Sequence, residues 1–391
     1  MKIAVVGFGQ CGCNLADEFY AINNHATSLL SRRIEILTDA FAVNTDEADL
    51  GGFRHIPKDK HHRILIGGLR TFGHGVGKIN VAAAKIIQES HSIITDNILT
   101  SRKFHEVDGV IVTASGGGGT GSGAIGWIVK KLKERIEKPV YAIIVLPFGY
   151  EEKGLTSYAV TNTATCLKTV SQYADAVFIV DNEEFAKRDS SLAANLREIN
   201  QAMVRNFYDL FCAGEEKNPQ YLGSKVIDAG DIRQSLEGIS AIGRGEINLA
   251  AFYHWRKDHY REGARETSSL GGALEKAINN LSLGINLADA RRILVLITAP
   301  KNLITLTSIE EVSTILQEKA PKAVVRIGDY PRRGKEISLT LIASKLTRVA
   351  RVENLYLHAE ELIEKQGEIN QEADEEIKHM QDTGKNLPDL A

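Results

Sequence analysis

Cysteine is scarce in this chain, with four among 391 residues: Cys11, Cys13, Cys166 and Cys212. Disulfide scaffolds belong to short, cysteine-rich secreted domains, so this chain is not one of them. One residue separates Cys11 from Cys13, which does not fit the C-x-x-C spacing of a zinc site, and no second pair follows. The cysteine content therefore argues against both classes, and we expect a cytoplasmic protein.

An excess of positive charge and a long apolar run are also missing. The net charge is −3 at pH 7, whereas proteins that bind nucleic acid through its phosphates are usually basic. No apolar run approaches the roughly 18 residues that a membrane-spanning helix needs. The opening residues "MKIAVVGFGQ" lack the layout of a cleavable signal. We therefore expect no nucleic-acid partner and no direct insertion into a membrane.

Short apolar runs alternate with helical patterns in the first half of the chain. The runs "KIAVVGFG", "VDGVIVTAS", "PVYAIIVLPF" and "ADAVFIVDN" are typical of buried strands. Such alternation indicates a parallel sheet with helices on both faces. The predicted fold class is α/β, with a Rossmann-like parallel-sheet domain.

The second half begins with one long predicted helix, residues 191–212, and continues with a smaller mixed α/β pattern. Its strands are "RILVLITA", "AVVRIGDY" and "EISLTLIAS". An amphipathic helix with an acidic outer face closes the chain. We expect a first domain over residues 1–185, the central helix over 186–213 and a second domain over 214–350. The C-terminal helix with its acidic tail is expected over 351–391.

The first of two glycine-rich loops, "GFGQCG", spans Gly7 to Gly12 between a strand and a helix. It matches G-x-G-x-x-G, a turn that brings backbone N–H groups and a helix N-terminus onto a phosphate. Two other interpretations stay open at this point. One is a tight turn without a ligand. The other is the cofactor site of an NAD-dependent oxidoreductase, with Asp46 on the ribose.

The second loop, "SGGGGTGSG", holds six glycines in the eight positions from Gly116 to Gly123. Glycines remove side-chain bulk, so that successive N–H groups can converge on one anion. Thr120 and Ser122 add hydroxyl groups, and no lysine follows, so the loop is not a Walker A motif. A flexible linker does not fit its flanks, which read as a buried strand and a helix. Two opposed loops suit a triphosphate held from both ends.

These loops resemble those of the tubulin and FtsZ superfamily. "GGGTGSG" is similar to its signature loop and "GFGQCGCN" to its first phosphate loop. "AVNTDEADL", "HGVGKIN", "LPFGYEE" and "VDNEEF" follow in the family's order. "IPKDKHHRILIG", "HEVDGVIV" and "KPVYAI" are most similar to the archaeal CetZ branch, and the resemblance covers about residues 1–344. It implies a GTPase domain, a long central helix and a smaller C-terminal domain.

The resemblance also implies that the chain binds GTP or GDP with Mg²⁺. The ion is expected to be held by the nucleotide phosphates and water, with no metal ligand from the protein. Glu151 corresponds to an acid on the ribose, and Asn182 and Asn200 to amides that read guanine. Two positions depart from the pattern: Leu155 stands where FtsZ often has Arg, and Leu196 where tubulin has a Tyr that stacks on the base. The phosphate and base contacts of the two loops are expected from Gln10, Cys11, Gly12, Cys13 and Asn14, and from Gly117, Gly118, Gly119, Thr120, Gly121 and Ser122.

Asp228 and Asp231 in "VIDAGDIRQSL" stand three apart where a helix begins. By themselves they read as an N-cap and a first-turn acid. The resemblance implies instead a loop that meets the nucleotide of the next subunit, where both acids orient or activate the attacking water. Such a head-to-tail contact does not close on itself and builds a filament.

We therefore expect a polymerising GTPase, activated by self-association, and the resemblance implies control of cell shape. The alternatives are the NAD-dependent oxidoreductase and a nucleotide-binding regulator that never polymerises. His55, His61 and His62 match no standard metal-ligand spacing, so a solvated basic loop is the preferred interpretation. The family uses C-terminal segments for adaptors, which makes an adaptor a further candidate partner, although this tail shows no clear motif.

Overall fold

The computed structural model describes residues 1–28, 30–154, 157–186, 191–248 and 269–384. Within these ranges the strands are Ile3–Phe8 (β1), Leu37–Asn44 (β2), Arg63–Leu65 (β3), Gly109–Ser115 (β4), Val140–Leu146 (β5), Ala176–Asp181 (β6), Gly238–Asn248 (β7), Arg292–Ala299 (β8), Val324–Pro331 (β9) and Glu336–Ser344 (β10). The helices in the same ranges are Gly9–Thr27 (α1), Glu47–Gly51 (α2), Gly68–Thr71 (α3), Asn80–Leu99 (α4), Thr120–Arg135 (α5), Tyr158–Val170 (α6), Asn182–Phe185 (α7), Leu192–Ala213 (α8), Ala229–Ser235 (α9), Ser269–Asn279 (α10), Leu306–Lys319 (α11) and Ala350–Gly384 (α12).

The ten strands form one sheet in the order β3-β2-β1-β4-β5-β6-β7-β10-β8-β9. From β3 to β7 every neighbouring pair is parallel. β10 then runs antiparallel to β7 and to β8, and β9 lies parallel to β8. The predicted parallel sheet is confirmed, and its continuous apolar strands are buried because helices cover both faces.

Strands from both halves of the chain share this sheet. β7 makes the join by pairing with β6 over three residues, beginning at Gly238 and Ala176. Its sequence, "GISAIGRGEIN", gives a weak strand signal because glycine is rare inside strands. The glycines are needed, since a Cβ at Gly245 would lie 1.9 Å from the Ala273 carbonyl oxygen of α10.

The long predicted central helix is confirmed as α8, which begins at Leu192 and ends at Ala213. Its 22 residues span about 33 Å. α8 contacts α7, which follows the end of β6, and near its far end the Phe211 carbonyl accepts a hydrogen bond from the Met1 ammonium group at 3.0 Å. The helix therefore runs from the edge where the parallel strands end to the edge where they begin.

α12 confirms the predicted amphipathic C-terminal helix. Leu355, Ala359 and Leu362 are buried in a cluster with Val160 and Ala164 of α6. Across the described residues, we find no helix that is both long enough and apolar enough to span a membrane.

Candidate functional site

The two glycine loops meet in backbone contact at the edge where the parallel strands end. Gly9 has a φ of +67°, and a Cβ there would lie 3.1 Å from the backbone nitrogen of Gly121. A Cβ on Gly121 would lie 2.8 Å from the Phe8 carbonyl oxygen. A side chain at either position would push the loops apart, so the sequence needs glycine on both sides to build one continuous surface.

Two helices begin in these loops without side-chain caps. Neither Phe8, before α1, nor Gly119, before α5, caps its helix through a side chain, and neither helix has an acidic residue in its first turn. Their first N–H groups therefore stay available, with the positive end of the helix dipole behind them. Several other helices are capped by a side chain, with Asp46, Ser157, Ser191 and Asp228 as the capping residues, whereas α3 and α4 also lack such a cap. α1 and α5 differ from α3 and α4 in beginning within the glycine loops, where their N-termini suit a phosphate.

The hydroxyl groups of the second loop hold the loop itself. The Thr120 and Thr45 Oγ1 atoms are 2.7 Å apart, and the Ser122 hydroxyl donates to the Gly119 carbonyl at 3.2 Å and to the Gly118 carbonyl. Gly118 presents the open side of the loop, because a Cβ there would meet nothing within 4 Å. Phosphate contacts at this loop are therefore available mainly from backbone N–H groups.

The first loop divides into an open and a buried side. Gln10 and Asn14 are exposed, and Cys11 is half-buried. Burial, together with the negative charge of Glu151, raises the pKa of the Cys11 thiol to about 12, so the thiol is neutral at pH 7. Cys13 points the other way, into the core, where its thiol donates to the Gly7 carbonyl at 3.2 Å. The Cys13 side chain therefore holds the first loop from its buried side.

Asn182, at the start of α7, carries an unpartnered acceptor. The residue is 5% exposed, and its buried Oδ1 atom has no hydrogen-bond partner in the protein. Buried polar atoms are normally paired, so this oxygen fits a donor from a ligand. Guanine offers such donors at its N1 and N2 positions. Asn200 lies half-buried on α8, and Leu196, one turn before it, is 39% exposed.

Glu151 is held in the turn that follows β5. Its carboxylate accepts from the Phe148 N–H at 3.0 Å, and its carbonyl accepts from the Ser157 hydroxyl at 2.5 Å. Leu155, the position where FtsZ often has Arg, lies outside the described residues. The turn and the Asn182 amide both follow strand ends, on the same edge as the glycine loops.

Asp228 and Asp231 lie at the opposite edge of the sheet. They form a capping box at α9. The Asp231 N–H donates to the Asp228 carboxylate at 2.8 Å, and the Asp228 N–H donates to the Asp231 carboxylate at 3.4 Å. The preceding residue, Ile227, packs near the beginning of β1, because a Cβ on Gly214 would lie 2.7 Å from the Met1 nitrogen and 3.5 Å from the Ile227 carbonyl oxygen. The six residues of β1 separate this edge from the glycine loops by about 20 Å.

Comparisons with known proteins agree with this geometry. Residues 2–188 match the GTPase domain of the tubulin/FtsZ family, and residues 189–361 match the C-terminal domain of tubulin-like CetZ proteins. The tubulin-like protein CetZ1 of Haloferax volcanii is 31% identical, over 95% of each chain.

The chain belongs to the tubulin/FtsZ superfamily, in its CetZ branch.

Two solved CetZ structures share the fold. CetZ2 from Haloferax volcanii, a GTPγS-bound protofilament, aligns with a TM-score of 0.79 at 27% identity, covering 94% of this chain and all of that one. CetZ1 from the same organism, a GDP-bound monomer, aligns with a TM-score of 0.75 at 30% identity and the same coverage. The predicted tubulin/FtsZ fold and CetZ resemblance are thus confirmed. The NAD-dependent oxidoreductase is not favoured, and Asp46, its expected ribose acid, caps α2 through a 3.1 Å bond to the Asp49 N–H.

The structure adds residues to this CetZ-type site that sequence reasoning missed. Thr45 joins the second loop through Thr120, and the Asn162 side-chain amide donates to the carbonyls of Gly118 at 3.1 Å and Lys78 at 2.8 Å. Asn162 therefore ties the second loop to the "HGVGKIN" segment. No local motif marks it, because its partners lie 44 and 84 residues away in the chain.

Proposed function

We propose that this CetZ-family chain binds GTP between its two glycine loops, polymerises head to tail and hydrolyses GTP where two subunits meet. The observation that carries the proposal is the placement of two different surfaces, the glycine loops and the acid pair, at opposite ends of the parallel strands. The nucleotide loops follow the ends of the parallel strands, and Asp228 and Asp231 lie beside the beginning of β1. A contact between two different ends propagates as a filament.

The preference for guanine rests on the buried Asn182 oxygen. The phosphate site rests on α1 and α5, which begin in the glycine loops without side-chain caps. Mg²⁺ would be held by phosphate oxygens and water, and it would offset the charge that develops on the transferred phosphoryl group. The roles of Glu151 and Asn200 on the nucleoside remain part of this proposal.

Asp228 and Asp231 would act on the nucleotide of the adjoining subunit. The Asp228 side chain is exposed, and Asp231 is 38% exposed, so a partner can approach both carboxylates. Within their own chain they are too far from the glycine loops to reach a bound phosphate. On association they would orient the attacking water and accept its proton. Polymerisation would thereby complete the catalytic centre.

We also propose that the filament acts in the cytoplasm to control cell shape rather than division, on the basis of CetZ membership. Loss of the gene should change cell outline while cells still divide at the normal rate. A division arrest with unchanged outline would contradict this part of the proposal and leave the GTPase part standing.

The Asp231→Ala variant tests the mechanism. It should bind GTP and form filaments, seen by light scattering, while phosphate release falls at least about 100-fold, in line with losses for a positioned acid–base group. Because Asp231 also belongs to a capping box, Ser308→Ala in the capping box of α11 is the matched control for stability. Loss of GTP binding in Asp231→Ala, or full hydrolysis by it, would overturn the assignment.

A further inference from the structure

Two adjacent histidines and an aspartate converge on the outer part of the sheet, away from the glycine loops. Asp39 lies early in β2, and His61 and His62 immediately precede β3. One ligand atom from each residue lies within 4.8 Å of the other two. His55, which the sequence groups with this pair, is exposed and binds elsewhere, with its backbone N–H 2.8 Å from the Asp17 carboxylate.

We propose that Asp39, His61 and His62 bind a divalent transition-metal cation of the Zn²⁺ class. Histidine nitrogen and carboxylate oxygen are the donors that Zn²⁺ takes, commonly three from the protein with water as the fourth. A tetrahedral site with metal–ligand bonds of about 2.0–2.1 Å places ligand atoms about 3.3 Å apart. The Asp39 Oδ1 and His62 Nε2 atoms are 3.1 Å apart, and so already form one edge of such a site.

Further groups orient these donors. The Asp59 carboxylate lies 2.8 Å from His62 Nδ1 and fixes the ring with Nε2 toward Asp39. A carboxylate on the remote nitrogen of a ligating histidine is the usual support in zinc sites. The Ser101 hydroxyl donates to the second oxygen of Asp39 at 2.5 Å.

A buried aromatic ring closes one side of the cluster. Phe41, two residues after Asp39 on the same strand, stacks on His62 with ring centroids 5.8 Å apart and meets His61 edge-on at 5.6 Å. The His62 and Asp39 side chains keep 20% and 15% exposure. The opening is therefore restricted, and water can supply the fourth ligand from the solvent side.

A competing interpretation explains part of this arrangement without a metal. A protonated His62 would form ion pairs with Asp39 and Asp59 through its two ring nitrogens. In that interpretation the His61 ring only packs edge-on against Phe41 and His62, whereas a three-ligand metal site requires one of its nitrogens. Substitution of His61 therefore separates the two explanations and leaves the ion pairs of His62 intact.

The experiment is a Zn²⁺ titration of the full-length chain by calorimetry, with free nucleotide removed because it chelates metal. Co²⁺ as a second probe reports tetrahedral coordination through its visible absorption. We expect one site, with affinity reduced at least tenfold in His61→Ala and in His62→Ala, and roughly tenfold in Asp59→Asn. Thermal unfolding of each variant without metal verifies that it is folded.

His55→Ala is the matched control and should bind as tightly as the parent chain. Cys11→Ser should also retain the site, which excludes binding at the half-buried thiol. Unchanged affinity in a folded His61→Ala variant, or no zinc binding by the parent chain at micromolar concentrations, would overturn the proposal. Neither outcome bears on GTP binding, because the assay contains no nucleotide.

Discussion

At the scale of single residues, Gly12 of the first loop is required by its contact with the neighbouring strand β4. A Cβ on Gly12 would lie 2.1 Å from the Thr113 carbonyl oxygen, and the Thr113 hydroxyl donates to the Gly12 carbonyl at 2.8 Å. This contact presses α1 directly onto β4. The G-x-G-x-x-G pattern predicts the glycine, but the partner strand becomes evident only in the fold.

Gly12→Ala should therefore destabilise the protein by roughly 1–3 kcal/mol, since the added methyl group meets backbone atoms that cannot move aside. Urea unfolding measures the change. Gly51→Ala is the control, because its Cβ meets nothing within 4 Å, and it should lie within about 0.5 kcal/mol of the parent. Equal stability of the two variants would show that the loop relaxes.

At the scale of elements, a buried ion cluster joins α8 to the second half of the sheet. Asp209 is fully buried, pairs with Arg32 and Arg244, and accepts from the Ser338 hydroxyl at 3.1 Å. Burial alone would raise the pKa of the Asp209 carboxyl, but the charges of Arg244 and Arg32 hold it below its usual value.

Asp209→Asn should cost about 3–5 kcal/mol at pH 7, because Arg32 loses its counter-charge and Arg244 keeps only that of Glu246. The pKa of Asp209 is lower in the folded than in the unfolded state, so its stabilisation is complete above the unfolded value of about 4. It is lost as the pH falls from there through the folded pKa. Urea unfolding from pH 7 to pH 3 measures the difference in free energy of unfolding between Asp209→Asn and the parent chain. This difference should become smaller below about pH 4, and a difference that does not change with pH would contradict the charge explanation.

The C-terminal helix is tied to the candidate nucleotide site by Arg351. Its guanidinium donates to the Asp181 carboxylate at 2.9 Å and pairs with Glu152. Asp181 immediately precedes Asn182, and Glu152 immediately follows Glu151. Asp181 in turn caps α7 at the Glu183 N–H. One side chain of α12 thereby positions both segments expected to hold the nucleoside.

Arg351→Ala should weaken binding of a fluorescent GDP analogue roughly fivefold or more, at little change in light scattering by filaments at saturating GTP. Arg348→Ala, at an exposed arginine just before the start of α12, is the control and should bind normally. If Arg351→Ala binds GDP as the parent does, α12 is not coupled to the nucleotide site.

At the scale of the whole molecule, the nucleotide loops and the acid pair lie at opposite ends, so each activity can be removed without touching the other. Gly118 offers a clean way to block the cradle, since a side chain there enters open space instead of the fold. Asp231→Ala removes the acid at the other end.

A mixture of Gly118→Phe and Asp231→Ala should hydrolyse GTP although neither variant does alone. The Gly118→Phe subunit, which keeps both acids, would act on GTP bound in the intact nucleotide site of the Asp231→Ala subunit. Phosphate release at fixed total protein, measured across mixing ratios, should peak near equal amounts. No recovery, while filaments of mixed composition form, would show that hydrolysis does not depend on a neighbour's acids.

The sequence predicted the elements whose signals are local. α8, the parallel strands and the caps at α9 follow from periodicity and from residue types at helix ends. β7 could not be predicted, because its glycines serve the approach of α10 and not the strand itself. The site follows the same rule. Its glycine loops were evident, whereas Asn162, Thr45 and the Arg351 link depend on residues distant in the chain.

The separation of the acid pair from the glycine loops has a consequence for any filament that grows by the proposed contact. Its two tips would be chemically different, one displaying carboxylates and the other an open, backbone-lined cradle. Subunits would then join and leave the two tips at different rates, and a capping protein could tell them apart by the groups that each tip displays. The polymer would carry a direction that every one of its subunits already has.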